Sequence, residues 1–334
     1  MDVLSDAVAA MRTGRPHSSR TVNSGPWGVR FPPSEGAGFH VVVQGTAWLI
    51  PPGGEEPVEL RPGDVVLLPH GTGHGLADRP DTPLADAVQA PDGSWPTPPD
   101  RAPAGGDRTL LLCGAYQVSR ARAHPLFTEL PPFVHIPARA GAHPRLRAAV
   151  DLLGAELADP QPGSDALVPA LLDTLLLLML RTWWLSERPD RAGGWSAALS
   201  DPAVTAALRA IHADPARPWT VEELGAQGGL SRAAFARRFT ALVGRPPLAY
   251  LTWWRMTTAG RLLRTADTPL RTVAQRAGYA SEFAFAKAFK REYGMAPGRY
   301  RKGAQGLSGG EEDARRSSSV RIATGVPSVA SPQS

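Results

Sequence analysis

The rhythm of apolar positions changes along the chain, and the changes divide it into regions. Asp2–Met11 repeats its apolar residues at helical spacing and predicts a short helix packed on the first domain. From Trp27 to Leu76 short apolar runs alternate with Pro and Gly: Trp27–Phe31, Phe39–Val43, Thr46–Ile50, Val58–Leu60 and Val65–Leu68. Runs of that length between turn residues predict strands. Asp78–Asp107 is rich in Pro, Asp and Gly and predicts a mobile loop, after which Thr109–Tyr116 predicts a strand that closes the β unit. His143–Leu157 and Leu167–Leu185 predict two apolar helices separated by the polar break Asp159–Ser164, and Glu187–Gly194 reads as a linker. Gly303–Ser334 has no periodicity and many Ser, Gly and Pro, which predicts disorder.

Between the linker and that tail the pattern repeats itself. A shift of fifty residues pairs Gly228 with Gly278, Ser231 with Ser281, Phe235 with Phe285, Ala236 with Ala286, Phe239 with Phe289, Gly244 with Gly294, Pro247 with Pro297 and Tyr250 with Tyr300. Each copy reads as a short helix, a glycine turn, a serine cap and a longer amphipathic helix, the helix-turn-helix pattern whose second helix enters a DNA major groove. Thr220 with Glu223 predicts a capping box on the first copy. Phe235 and Phe239, like Phe285 and Phe289, belong to the core at i, i+4; Arg232, Ala233, Ala236 and Arg237 then face outward, as do Glu282, Phe283, Ala286 and Lys287. Pro246–Thr265 predicts one long helix that spaces the two copies, with proline in its first turn.

Charge strengthens this reading. The chain of 334 residues carries a net +5, yet residues 200–302 hold 17 Lys and Arg against 7 Asp and Glu, a net +10, so the remainder is at −5. Positive charge sits where phosphates have to be neutralised. The lone Cys113 excludes an intrachain disulfide, and Met1–Thr13 lacks the basic flank and apolar run of a signal peptide; both predict a cytoplasmic location. Ala166–Leu185 is apolar but includes Pro169, Asp173 and Arg181, which are costly in a bilayer, so it predicts a buried or subunit-interface helix and no membrane span.

On these residues the C-terminal hundred resembles the DNA-binding domain of the AraC/XylS family of bacterial transcription regulators, most specifically at Gly278-Tyr279, Ser281, Phe285, Phe289, Tyr293-Gly294, Pro297 and Tyr300-Arg301. The resemblance implies that both second helices enter the major groove of double-stranded DNA, with Ala233, Ala236 and Arg237 in the first, and Glu282, Phe283, Ala286 and Lys287 in the second, facing bases. Alanine at 233 and 236 offers only methyl contacts, so the first head reads few bases beyond what Arg232 and Arg237 supply.

A second signature lies upstream. Gly63, Pro69, Gly71 and His74 fit the spacing G-x5-P-x-G-x2-H, which resembles the second motif of cupins, small β-barrels. With Phe39-His40, Val41–Gly45, Leu112-Cys113-Gly114, His124-Pro125-Leu126 and Leu130-Pro131-Pro132, the segment is similar to the cupin sensor domain of one AraC subgroup. The first cupin metal motif is degraded: Phe31, Pro33 and Gly38 stand where two His and a Glu are usual. His40, His74 and Cys113 form a candidate metal set suited to zinc; the alternative is a barrel-mouth histidine and a buried strand cysteine without metal. Sulfenylation or an intermolecular bridge at Cys113 is a further option.

The expected fold is multidomain α+β: a cupin-like sensor over residues 1–137, a helical linker and dimerisation segment over 138–194, an all-α unit with two helix-turn-helix motifs over 195–302, and a disordered tail over 303–334. The expected function is sequence-specific transcription regulation without enzymatic activity, responsive to a small-molecule effector. The expected partners are DNA, a second copy of the chain and, for an activator, RNA polymerase. The competing reading is a cupin metalloenzyme with a DNA-binding appendage.

Overall fold

The computed structural model describes residues 2–11, 14, 16–34, 36–87, 108–118, 124–186, 194–265 and 267–303. The expected tail, most of the Asp78–Asp107 loop and most of the Glu187–Gly194 linker lie outside them. The N-terminal half is built from β1 (His17–Ser24), β2 (Gly28–Phe31), β3 (Ala37–Gln44), β4 (Ala47–Ile50), β5 (Val58–Leu60), β6 (Val65–Leu68), β7 (His74–Ala77), β8 (Ala85–Asp86), β9 (Arg108–Tyr116) and β10 (Val134–Ile136). They form two five-stranded sheets, ordered β1-β9-β3-β6-β10 and β5-β4-β7-β2-β8. The apolar runs became the strands expected of them: Ala47–Ile50 alternates buried with half-buried residues, and Val65–Leu68 is buried throughout. β1 was not legible: HSSRTVNS has no apolar alternation and is held by its full-length antiparallel ladder to β9.

Gly63 adopts φ +91° at the turn before β6, and the buried Asp64 beside it fixes that corner. Its carboxylate accepts from Ala138 N–H (2.7 Å), Arg61 N–H (3.0 Å) and His135 Nε2 (3.0 Å). The cupin-like motif is thereby locked to β10 by a group that satisfies itself locally. His70 is structural too, bonding the Leu130 carbonyl through Nε2 at 2.8 Å.

Helix α1 (Val3–Met11) packs chiefly on helices, touching α6 (Pro202–Ala213) and α9 (Pro247–Thr265). Helices α3 (Pro144–Ala158) and α4 (Ser164–Ser186) pack on each other and on the first sheet. Ser164–Trp184 is long and apolar enough to cross a membrane, but one face, with Leu172, Leu175, Leu176, Met179 and Leu180, is buried in the main core. Tyr116 at the end of β9 donates its hydroxyl to the Leu172 carbonyl at 2.7 Å, tying sheet to helix.

The remaining elements are α2 (Pro125–Thr128), α5 (Gly194–Ser200), α7 (Val221–Ala226), α8 (Arg232–Val243), α10 (Leu270–Arg276) and α11 (Glu282–Tyr293). One hydrophobic core runs from the first sheet through α3, α4 and α5 into α6–α9, and takes in Phe235 and Phe239 of the first repeat. The second repeat has its own smaller core around Met256, Val273, Phe285 and Phe289.

Candidate DNA interface and sensor cavity

Both reading helices start at the expected serine. Ser231 Oγ accepts from Ala234 N–H at 3.4 Å, and Ser281 Oγ from Ala284 N–H at 3.2 Å, each satisfying one orphan donor of a first turn. Both end at a glycine in the left-handed region, Gly244 at φ +76° and Gly294 at +73°. The capping box of α7 forms as expected: Thr220 N–H donates to Glu223 Oε2 at 2.8 Å and Glu223 N–H to Thr220 Oγ1 at 3.1 Å.

The turns correct the repeat alignment. Helices α8 and α11 begin fifty residues apart, but α7 and α10 begin at Val221 and Leu270, forty-nine apart. The turn glycines are Gly229 (φ +68°) and Gly278 (φ +75°), followed by matching bonds from Leu230 N–H to Gly225 O and from Tyr279 N–H to Ala274 O. Gly228, which sequence identity pairs with Gly278, is glycine for another reason: a Cβ there would lie 2.3 Å from that of Ala203 on α6. The second unit carries Ala280 as an extra residue before its cap.

Arg232, Ala233 and Arg237 are exposed on α8 with Ala236 half-buried between them, while Phe235 and Phe239 face the core. On α11, Glu282, Phe283 and Lys287 are exposed, Ala286 is half-buried, and Phe285 and Phe289 are inside. Phe283 is 81% exposed, a large apolar ring left in water on a face otherwise polar. Arg238, one residue beyond Arg237, is committed elsewhere: it pairs with Asp201, the N-cap of α6.

Sequence reasoning missed the junction between the two halves. His124 Nδ1 accepts from Leu126 N–H at 3.2 Å, so its proton sits on Nε2, which donates to Tyr250 Oη at 3.2 Å. Tyr250 O–H in turn donates to His212 Nε2 at 2.7 Å, and His212 Nδ1–H to Asp6 Oδ2 at 3.3 Å. One buried chain thus joins α2, α9, α6 and α1. Burial holds His124 well below the usual imidazole range, with the charges of His212 and Arg245 adding to the shift. Burial also lowers His212, against the opposing pull of Asp6. Trp195, Trp253 and Trp254 pack around His124, and His212 stacks on Trp254 at 3.8 Å. The histidine-proline pair at 124–125 and the excess of tryptophan were the available signals; nothing local linked them.

Between the two sheets lies a cavity of about 380 Å3. The register of β3 on β9 puts His40 opposite Cys113, and that of β2 on β7 puts Phe31 opposite His74; facing across the gap, the pairs meet. His74 Nδ1–H donates to Thr72 O at 3.4 Å, which leaves His74 Nε2 to accept from His40 Nε2–H at 2.8 Å; His40 Nδ1 then accepts from Cys113 S–H at 3.0 Å. Burial lowers the His74 pKa to about 4, drives His40 well below its usual value with help from His74, and pushes Cys113 up to about 12.

The structure therefore brings the candidate residues His40, His74 and Cys113 together, in a hydrogen-bonded arrangement. His40 turns its two nitrogens to opposite neighbours, so Cys113 stands behind the imidazole pair rather than beside it. Among the described residues no group of three or more His, Cys, Asp or Glu is placed to hold a metal ion. With its pKa pushed up to about 12 by burial, the Cys113 thiol keeps its proton and donates it to His40 in a hydrogen bond.

A cupin family profile matches residues 2–184 and a helix-turn-helix domain profile matches residues 224–303. The chain is 36% identical over 307 residues to an AraC-like transcription regulator of Streptomyces lividans, covering 90% of this chain and 98% of that one. A counterpart in Streptomyces antibioticus is likewise 36% identical over 307 residues, covering 90% and 99%. The HTH-type transcriptional regulator AlkR of Acinetobacter baylyi is 29% identical over 307 residues, again covering 90% and 99%. These relatives are regulators over their whole length, which sets aside the metalloenzyme reading. With a cupin sensor domain ahead of two helix-turn-helix units, the chain belongs to the AraC-like DNA-binding transcription regulators.

Proposed function

We propose that the two heads read adjacent major-groove segments of one duplex, through Arg232, Ala233, Ala236 and Arg237 on α8 and Glu282, Phe283, Ala286 and Lys287 on α11. The observation that carries this is the pair of serine-capped helices with matching outward faces, joined by the continuous 19-residue helix α9. Arg237 suits a guanine edge, and Phe283 suits a thymine methyl, a contact that gives its exposed ring an apolar partner. Lys287 suits a phosphate.

In the same proposal the cavity receives a small-molecule effector and alters how the heads are presented, with the His124–Tyr250–His212–Asp6 chain as the mechanical link. A second copy of the chain covers the outer face of α3 and α4, where Leu152 is 60% and Leu167 46% exposed; sedimentation equilibrium tests that part. Contact with RNA polymerase belongs to the proposal only for activation, and the site of action is wherever the chromosome lies.

The test is genome-wide capture of DNA by the purified full-length protein across a range of salt. Recovery of two half-elements about 34 Å apart along the duplex is the expected result. Salt-sensitive binding with no recovered motif would mean that the helices hold phosphates alone.

A further inference from the structure

We propose that the cavity between the sheets takes an uncharged, mainly apolar organic molecule with one hydrogen-bonding group, and not a metal ion. This rests on reading the N-terminal unit as the sensor and names what it senses by chemical class.

The cavity, about 380 Å3, falls at the lower end of the range of small-molecule pockets, roughly 300–1,000 Å3. Trp27, Val29, Phe31, Leu68, Leu76 and Leu111 are the large apolar residues of its wall. Among the described residues no lysine or arginine lines it, and the one acidic lining residue among them, Asp86, is exposed and already paired with Arg30 at 3.0 Å. A carboxylate entering this space would lose its hydration for no cationic partner, and an ammonium would find only that paired, solvated carboxylate.

The polar end of the cavity is closed and neutral. The Cys113–His40–His74–Thr72 chain uses one proton per bond with no net charge. A metal ion between His40 Nε2 and His74 Nε2 would have to break the bond that joins them and would still lack a third ligand among the described residues. Gly38 shows where that ligand is missing. It lies on β3 two residues before His40, hence on the same face, at the position where the resemblance to cupins places an acidic ligand. A Cβ on Gly38 would meet the Gly114 carbonyl at 3.6 Å, an ordinary van der Waals contact, so a side chain fits there. Phe31 meanwhile stacks on the His74 ring at 4.9 Å and 14°, putting an apolar face beside the imidazoles. Where a carboxylate and an ion would sit, this chain has a glycine and a phenyl ring.

Some polar capacity remains in the walls. His17 Nε2, Ser18 Oγ and Thr72 Oγ1 belong to lining residues and are buried without a hydrogen-bond partner among the described residues. Such groups are costly unless partnered, and a small rearrangement around one hydroxyl or carbonyl on the ligand would satisfy one or two of them.

The experiment uses the full-length protein at pH 7.5 with matched probes: benzyl alcohol, indole and 4-phenyl-1-butanol against benzoate, 4-phenylbutyrate and 4-phenylbutylamine, and zinc chloride alone. Calorimetry and thermal shift should show at least one neutral probe binding about tenfold or more tighter than its charged counterpart, with the same affinity before and after chelator treatment. Gly38→Phe, which puts a ring into the cavity, should abolish that binding while the melting temperature stays near the parent value. If that variant fails to fold, Gly38→Leu should weaken binding in proportion to the volume it takes. Charged probes binding as well as neutral ones, no neutral probe binding, or zinc displacing the neutral probe would each overturn the proposal. DNA capture is read separately: sequence-specific capture without probe binding sinks the ligand class alone, whereas absence of specific capture sinks the regulatory reading.

Discussion

The two helix-turn-helix units are near copies in sequence and differ in what lies behind them. In the first, Phe235 and Phe239 belong to the core that continues through α5 and α6 to the sheets, and Tyr250 is buried between two histidines. In the second, Phe285 and Phe289 close a separate core, and the matching Tyr300 bonds Arg264 of α9 and packs edge-on against Phe289 and Tyr293. The same residue type at the same place in the repeat is a junction in one copy and a local clasp in the other. The first head thus shares its core with the sheets, whereas the second has a core of its own built on α9, α10 and α11.

The comparison can be broken most sharply in the cores. Phe239→Ala and Phe289→Ala should each cost about 3–5 kcal/mol. In calorimetry, Phe239→Ala should lower the transition of sensor and first head together, whereas Phe289→Ala should split off an early transition of the second head. One common transition for both variants would show that the cores unfold as a unit. Next in size is Tyr250→Phe, which leaves two buried imidazole nitrogens short of a partner and should cost about 1–3 kcal/mol in urea unfolding. Tyr300→Phe should cost less, because the Arg264 side chain it releases reaches water.

At the DNA faces, Arg237→Ala should weaken binding to a recovered operator by about 1–3 kcal/mol and hardly change binding to scrambled DNA. Lys287→Ala should weaken both equally if it meets a phosphate, as titrations on the two duplexes would report.

The smallest effect per group is with pH. His124 and His212 titrate lower in the folded chain than in the unfolded one, so below about pH 6.5 the unfolded chain takes up protons first. Their contribution is present above that pH and is lost as the pH falls toward the folded values, at about 1 kcal/mol per unit for each histidine. The chain has no histidine after His212, so hydrogen exchange at pH 7.5 and 5.5 should show the junction loosening while α10 and α11 keep their protection. Equal loosening of both heads would contradict the separation of their cores.

What was legible in the sequence was what a few neighbouring residues decide. Thr220 and Glu223 cap α7, Ser231 and Ser281 start the reading helices, and Gly244 and Gly294 end them, because capping involves atoms within one turn. The outward faces of α8 and α11 followed from helical period once the phenylalanines were assigned inward. The glycine pairing failed by one residue because identity at a fixed offset cannot show that Ala280 is extra, and Gly228 is small to let α6 approach. β1 was missed because its polar sequence carries no pattern of its own and is held by its ladder to β9.

The sequence by itself determined the identity of the DNA-reading unit, its caps and its exposed faces, since these depend on period and on contacts within a turn. Tertiary structure alone decided that His40, Cys113 and His74 close into a neutral chain, because that depends on two strand registers and on how the sheets face each other. It alone decided too that Tyr250 meets residues 126 positions before it and 38 positions away along α6. Burial at that depth sets which protons are carried, and no local pattern of residues encodes it.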